Sequence, residues 1–177
     1  MSVSGSGGPF YKKWWFWAII IVFVLSFFDA VTSETTAQKN AVIKANSYLE
    51  YRTFSRNRLI EQLEFEGFTH EDSVYGVDHC GADWNEQAVI KAKELLSART
   101  FSRNSLISDL KWYKFDDENA VYGADHCDAD WNEQAAKAAK QYLEDSEELS
   151  RNDLISKLQH DGFTSEQALY GVTENGF

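Results

Sequence analysis

Two histidine-cysteine pairs, His79-Cys80 and His126-Cys127, are the residues of this sequence best suited to chemistry. An imidazole beside a thiol could hold zinc or activate a nucleophile, and the two thiols together could close a disulfide. The spacing speaks against zinc, because ligands that share one ion usually stand two or more residues apart and adjacent side chains tend to diverge. No nucleophile motif, phosphate-binding glycine loop or pair of carboxylates placed for acid-base work accompanies the pairs. The sequence therefore points away from an enzyme and implies no cofactor and no metal. A Cys80–Cys127 disulfide is chemically permitted in an exported chain. Equivalent positions of stacked units, however, often lie beyond the ~7 Å Cα reach of a bridge. Bridged and free states both stay open. The simpler reading is a small buried thiol in each pair, with each histidine capping a helix end or bonding a backbone carbonyl.

Both pairs sit in a tract that occurs twice. Tyr75-Gly76-Val77-Asp78-His79-Cys80-Gly81-Ala82-Asp83-Trp84-Asn85-Glu86-Gln87-Ala88 returns 47 residues later as Tyr122-Gly123-Ala124-Asp125-His126-Cys127-Asp128-Ala129-Asp130-Trp131-Asn132-Glu133-Gln134-Ala135. Phe54-Ser55-Arg56-Asn57 returns as Phe101-Ser102-Arg103-Asn104 and again as Leu149-Ser150-Arg151-Asn152. A fixed period of this size marks a repeated supersecondary unit. A unit this short buries a marginal core alone, so three copies must lean on one another.

Each copy reads as three helices joined by tight turns, a helix-turn-helix-like unit, and the chain as all-α. The first helices are expected over residues 37–49, from Trp84 to about Leu96, and over residues 131–143. Thr36, Asp83 and Asp130 stand at their N-caps, and Trp84, Ala88, Ala92 and Leu95 share one face. The second helices start at N-caps Ser55, Ser102 and Ser150, each with an apolar residue before the cap to staple against Leu59, Leu106 or Leu154. Gly67 and Gly162 can take the left-handed conformation that closes such a helix. Lys114 stands where the middle copy needs that glycine, so its ending should be strained or remodelled. The third helices are expected to stop at Gly76, Gly123 and Gly171. Arg56, Arg103 and Arg151 read as surface contacts at most.

Repeat 1 then covers residues 37–77, a connector 78–82, repeat 2 residues 83–124, a connector 125–129, and repeat 3 residues 130–177. Trp84 and Trp131 each follow a connector, whereas Ala37 at the equivalent place follows none. We therefore expect each tryptophan, with Cys80, Cys127, His79 and His126 beside it, to dock a unit on its predecessor. The alternative is that each tryptophan belongs to the core of its own unit.

Ahead of the repeats, residues 1–13 hold Lys12 and Lys13 and no acid, and residues 14–28 hold no charge. Counted through residue 31, the run is just long enough to span a bilayer. The Trp14-Trp15-Phe16-Trp17 cluster suits a headgroup belt, with the lysines on the cytoplasmic side. This gives a cytoplasmic segment 1–13, a transmembrane anchor 14–31, a tether 32–36 and extracellular repeats. Cleavage as a secretory signal near residues 31–33 is the competing reading, and it too exports the repeats. Residues 34–177 carry 15 Lys and Arg against 27 Asp and Glu. Such a surface repels a phosphate backbone, which excludes nucleic acid, and it suits a basic partner or simple solubility.

The segments Tyr48-Leu49, Phe54-Ser55-Arg56, Leu59-Ile60, Gly67-Phe68, Tyr75-Gly76-Val77-Asp78 and residues 82–88, with their copies, resemble the Ltp family of host-cell surface-exposed lipoproteins. The resemblance spans about residues 37–174. It implies superinfection exclusion, in which a surface protein stops the DNA of another phage from entering the cell. It also implies a partner, the phage tail tape measure protein, for which an acidic ectodomain would suit a basic segment. The chain is expected to act as a monomer. The family name implies lipidation on a cysteine after the apolar run, yet no cysteine precedes Cys80, so anchoring falls to the transmembrane segment. A cell-surface module for wall polymer or a host ligand is the alternative function.

Overall fold

The computed structural model describes residues 34–146 and 149–177. The expected cytoplasmic segment and transmembrane anchor lie outside the described residues. Among those residues no helix is long and apolar enough to cross a membrane. The described chain is all-α, with nine helices and no strand.

The helices fall into three consecutive sets. α1 (Thr36–Leu49), α2 (Arg56–Phe65) and α3 (His70–Asp78) form the first repeat. α4 (Trp84–Ala98), α5 (Arg103–Trp112) and α6 (Asp117–Asp125) form the second, and α7 (Trp131–Asp145), α8 (Arg151–His160) and α9 (Ser165–Glu174) the third. Residues Ala37–Phe177 make one compact unit.

Each repeat builds its core from the same chemistry. The first helix contributes alanines, Ala41 and Ala45, Ala88 and Ala92, or Ala135 and Ala139, all fully buried. The second contributes two leucines on adjacent turns, Leu59 and Leu63, Leu106 and Leu110, or Leu154 and Leu158. Small residues let the first helix approach its neighbour closely, and the leucines fill what remains, at roughly 1.5–3 kcal/mol for each side chain buried.

The third helices do not stop at Gly76, Gly123 and Gly171 as the sequence suggested. They run on to Asp78, Asp125 and Glu174. The glycines are buried inside the helix, where a Cβ would lie 2.7 Å from the backbone of Ala41, 2.8 Å from that of Ala88, or 2.7 Å from that of Ala135. They permit the crossing of the third helix on the first, and do not terminate anything. The turn that does end the unit comes five residues later, where Gly81, Asp128 and Gly176 have φ of +74°, +61° and +91°.

The second helices close in the Schellman pattern. In repeat 1 the Phe68 N–H donates to Leu63 O at 3.2 Å and the Gly67 N–H to Glu64 O at 3.0 Å, with Gly67 at φ +98°. Repeat 3 matches it through Phe163 and Gly162. Repeat 2 keeps the same bonds, Phe115 to Leu110 and Lys114 to Lys111, with Lys114 itself held at φ +66°. The ending is therefore strained but not remodelled: the flanking Phe115, only 5% exposed, anchors it.

Among the described residues one buried side-chain polar atom has no hydrogen-bond partner, the Ser73 hydroxyl on α3. Ala120 and Ala168 occupy the equivalent positions in the other repeats. Ser73→Ala is expected to stabilise the first repeat by about 1–2 kcal/mol, read from the urea midpoint at unchanged slope, since it removes an unsatisfied hydroxyl and favours the helix.

Candidate functional site

The histidine-cysteine pairs lie just past α3 and α6. His79 and His126 are the C-cap residues, each donating from Nδ1 to a carbonyl four residues back, Tyr75 O at 2.8 Å and Tyr122 O at 2.9 Å. Each imidazole stacks flat on the tyrosine ring of the same turn, with centroids 3.9 and 3.8 Å apart. Cys80 and Cys127 are both free thiols, donating to Val77 O and Ala124 O. Among the described residues no group of three or more His, Cys, Asp and Glu side chains converges on a point. Cys127 is buried, and burial raises its pKa above that of a free thiol. Cys80 is only half-buried. Maleimide labelling of the native protein should therefore modify Cys80 well before Cys127, and equal rates would contradict the burial difference.

Arg56 and Arg103 do more than skirt the surface. Arg56 pairs with Asp78 at 2.6 Å, and Arg103 forks onto Asp125 with contacts of 2.5 and 2.7 Å, tying the start of each second helix to the end of its third. The Arg103 guanidinium holds the Asp125 carboxyl below the usual range. In repeat 3 Thr173 stands where the other repeats have the aspartate, and Arg151 has no carboxylate partner among the described residues.

The tryptophans lie across the joints. Trp84 packs against the core of repeat 1 and Trp131 against the core of repeat 2. Asp83 and Asp130 cap the helices that carry them, accepting from Asn85 and Glu86 and from Asn132 and Glu133. Ser55, Ser102 and Ser150 cap the second helices.

Sequence reasoning stopped at that capping role, and the joint shows a second one. The Ser55 hydroxyl accepts from Arg58 N–H and donates across the joint to Tyr113 O at 2.8 Å, the carbonyl of the C-cap residue that ends the second helix of the next repeat. Asn57 Nδ2 donates to Lys114 O at 3.3 Å, the Phe54 N–H to Gln87 Oε1 at 3.2 Å, and Thr53 to Glu94 at 2.6 Å. The next joint is its copy: Ser102 to Asp161 O at 2.7 Å, Asn104 to Gly162 O at 3.4 Å, Phe101 N–H to Gln134 at 3.2 Å, and Thr100 to Gln141 at 3.0 Å. A hydroxyl both accepts and donates, so one serine can end a helix and hold a neighbour. The signal was present in the sequence. Capping needs only the serine, yet Thr-Phe-Ser-Arg-Asn is identical at 53–57 and 100–104.

Charge is divided between the helices. The three third helices carry eight carboxylates and no Lys or Arg. The three second helices carry six Lys and Arg against four carboxylates. The acidity of the repeats is therefore concentrated on one helix of each.

In the last repeat Tyr142 Oη donates to Asp161 Oδ2 at 2.6 Å, and that bond to a carboxylate pushes the phenol pKa up to about 12. The folded value lies above the ~10 of an unfolded tyrosine. Its contribution is thus complete below pH ~10 and is lost as pH rises through about 12. Tyr142→Phe should flatten the fall in stability between pH ~10 and ~12, and an unchanged fall in the variant would place that loss elsewhere.

These features define a class: an all-α tandem array of three-helix repeats whose joints are built from a recurrent set of donors. The family described as host cell surface-exposed lipoprotein, Lipoprotein_Ltp, matches residues 36–80, 83–127 and 130–174, and the chain belongs to it. A comparison with curated proteins found no match. The solved structure of Ltp, a superinfection exclusion protein from the Streptococcus thermophilus temperate phage TP-J34, is similar to 53% of the chain over 98% of its own length. The identity is 29% and the TM-score 0.50.

Proposed function

We propose that the chain is a superinfection exclusion protein. Residues 14–31 hold it in the cell membrane with the repeats outside, and the repeats stop the DNA of an incoming phage from crossing. They act by binding, one protein to one target, through the acidic third helices, and the target is a basic segment of the tail tape measure protein. The observation that carries the reading is that the family match covers all three repeats, together with likeness to a superinfection exclusion protein over nearly its whole length. The charge division supports the basic partner: three of the eight carboxylates on the third helices pair with Arg56, Lys111 and Arg103, and the others leave these helices, which hold no Lys or Arg of their own, with a negative surplus that attracts and steers cations.

The test separates phage adsorption from DNA injection in cells that express the full chain, a version lacking residues 1–33, or the repeats carried by an unrelated anchor. Normal adsorption with failed injection, only where the repeats are displayed outside, supports the proposal. Normal injection in all three across a broad phage panel would remove it in favour of wall binding.

A further inference from the structure

The acidic helices also carry a row of half-exposed tyrosines. Tyr75, Tyr122 and Tyr170 are equivalent residues, the last two 38% and 42% exposed. Each stands four residues after an exposed glutamate, Glu71, Glu118 or Glu166, which places both on one face of the helix. None of these glutamates has a cationic partner among the described residues, whereas Asp78, Asp117 and Asp125 on the same helices are neutralised by Arg56, Lys111 and Arg103. Val121 and Leu169 lie beside the second and third tyrosines, 40% and 47% exposed. Both joints use the same bonds, so the couple recurs once in each repeat, at equivalent positions of α3, α6 and α9.

We propose that this row of Glu–Tyr couples is a docking face for a partner-protein segment in which Lys or Arg alternates with apolar residues. The proposal rests on the acidic-surface reading above and assigns it to residues. Cations of the segment sit against the glutamates and over the tyrosine rings, and its apolar side chains cover Val121 and Leu169. Charge selects this occupant: the second helices, with their surplus of Lys and Arg, offer it nothing comparable even though Phe65 and Trp112 are exposed there. In the first two repeats the stacked histidine covers one face of the tyrosine ring. Glu174 takes the histidine's place in the third, so Tyr170 presents the most open ring and a second carboxylate.

The test uses the full chain in nonionic detergent and two fluorescent synthetic probes, a lysine–leucine peptide of ~20 residues and an oligolysine of equal charge. The lysine–leucine peptide should bind more tightly. Joint replacement of Tyr75, Tyr122 and Tyr170 by Ala should weaken it roughly 10-fold or more. Joint replacement of Glu71, Glu118 and Glu166 by Gln should weaken it and reduce its salt dependence, and these exposed sites keep the test valid if the tyrosine variant loses helical circular dichroism. Phe65→Ala with Trp112→Ala should leave binding within about two-fold. Equal binding of the two probes, or full binding by the tyrosine and glutamate variants, overturns the docking face. If those variants still block phage DNA injection as the parent does, the docking face falls and exclusion stands. If binding follows the row but the parent blocks no injection, the docking face stands and exclusion falls.

Discussion

Gly123→Ala is expected to lower the stability of the middle repeat by about 2 kcal/mol, although the same change inside an unconstrained helix raises it by about 1 kcal/mol. The reversal comes from the crossing of α6 on α4. The new methyl would lie 2.8 Å from the Ala88 carbonyl oxygen and 2.9 Å from the Ala88 Cβ, so one helix must retreat from the other. Retreat opens the contact between Ala88 and Ala92 on one side and Ala120 and Ala124 on the other, all buried in one cluster. Gly67 provides the contrast, because a Cβ there meets nothing within 4 Å and only the φ of +98° opposes it. Gly67→Ala should cost about 1 kcal/mol. Urea unfolding followed by circular dichroism decides the matter, and a Gly123→Ala protein more stable than its parent would show that the crossing is looser than drawn.

The second large effect is at the joints. Ser55→Ala and Ser102→Ala should each cost about 2 kcal/mol, about 1 for the cap and about 1 for the bond to the next repeat. Ser150 is the internal control. It caps α8, but its hydroxyl donates to Asp153 within its own repeat, so Ser150→Ala should cost only about 1 kcal/mol. Combining Ser102→Ala with Asn104→Ala and Trp131→Ala removes the donors and the apolar anchor between repeats 2 and 3, and the unfolding curve should split into two transitions. A single sharp transition in that triple variant would mean that the joint is held by something other than these groups.

The parts of the fold that depend on near neighbours in sequence were the legible ones. A serine before Arg56, Arg103 or Arg151 supplies the one acceptor a helix start needs, and Gly67-Phe68 supplies the conformation and apolar contact that end it. Gly76, Gly123 and Gly171 were misread because a glycine near the end of an apolar pattern has two uses, left-handed turn and close approach. Only the partner helix, with Ala41, Ala88 or Ala135 opposite, tells them apart. The clamp of Ser55 on Tyr113 joins residues 58 apart, beyond any local pattern. Its trace in the sequence is an identity more extensive than capping requires. The tyrosine row was hidden for a similar reason, since the apolar pattern marks Tyr75 and its equivalents as helix formers without saying which face is turned outward.

A joint made twice from interchangeable parts also governs how such a chain can vary. The donors at 53–57 fit the helix end at 113–114 as those at 100–104 fit the one at 161–162. Excising or duplicating one whole repeat, 47 residues from Ser55 to Ser102 or 48 from Ser102 to Ser150, leaves every seam made of surfaces that already match. The length of the array can therefore change in discrete steps, without any new interface having to arise. The solved TP-J34 chain aligns with 53% of this one, about two such steps.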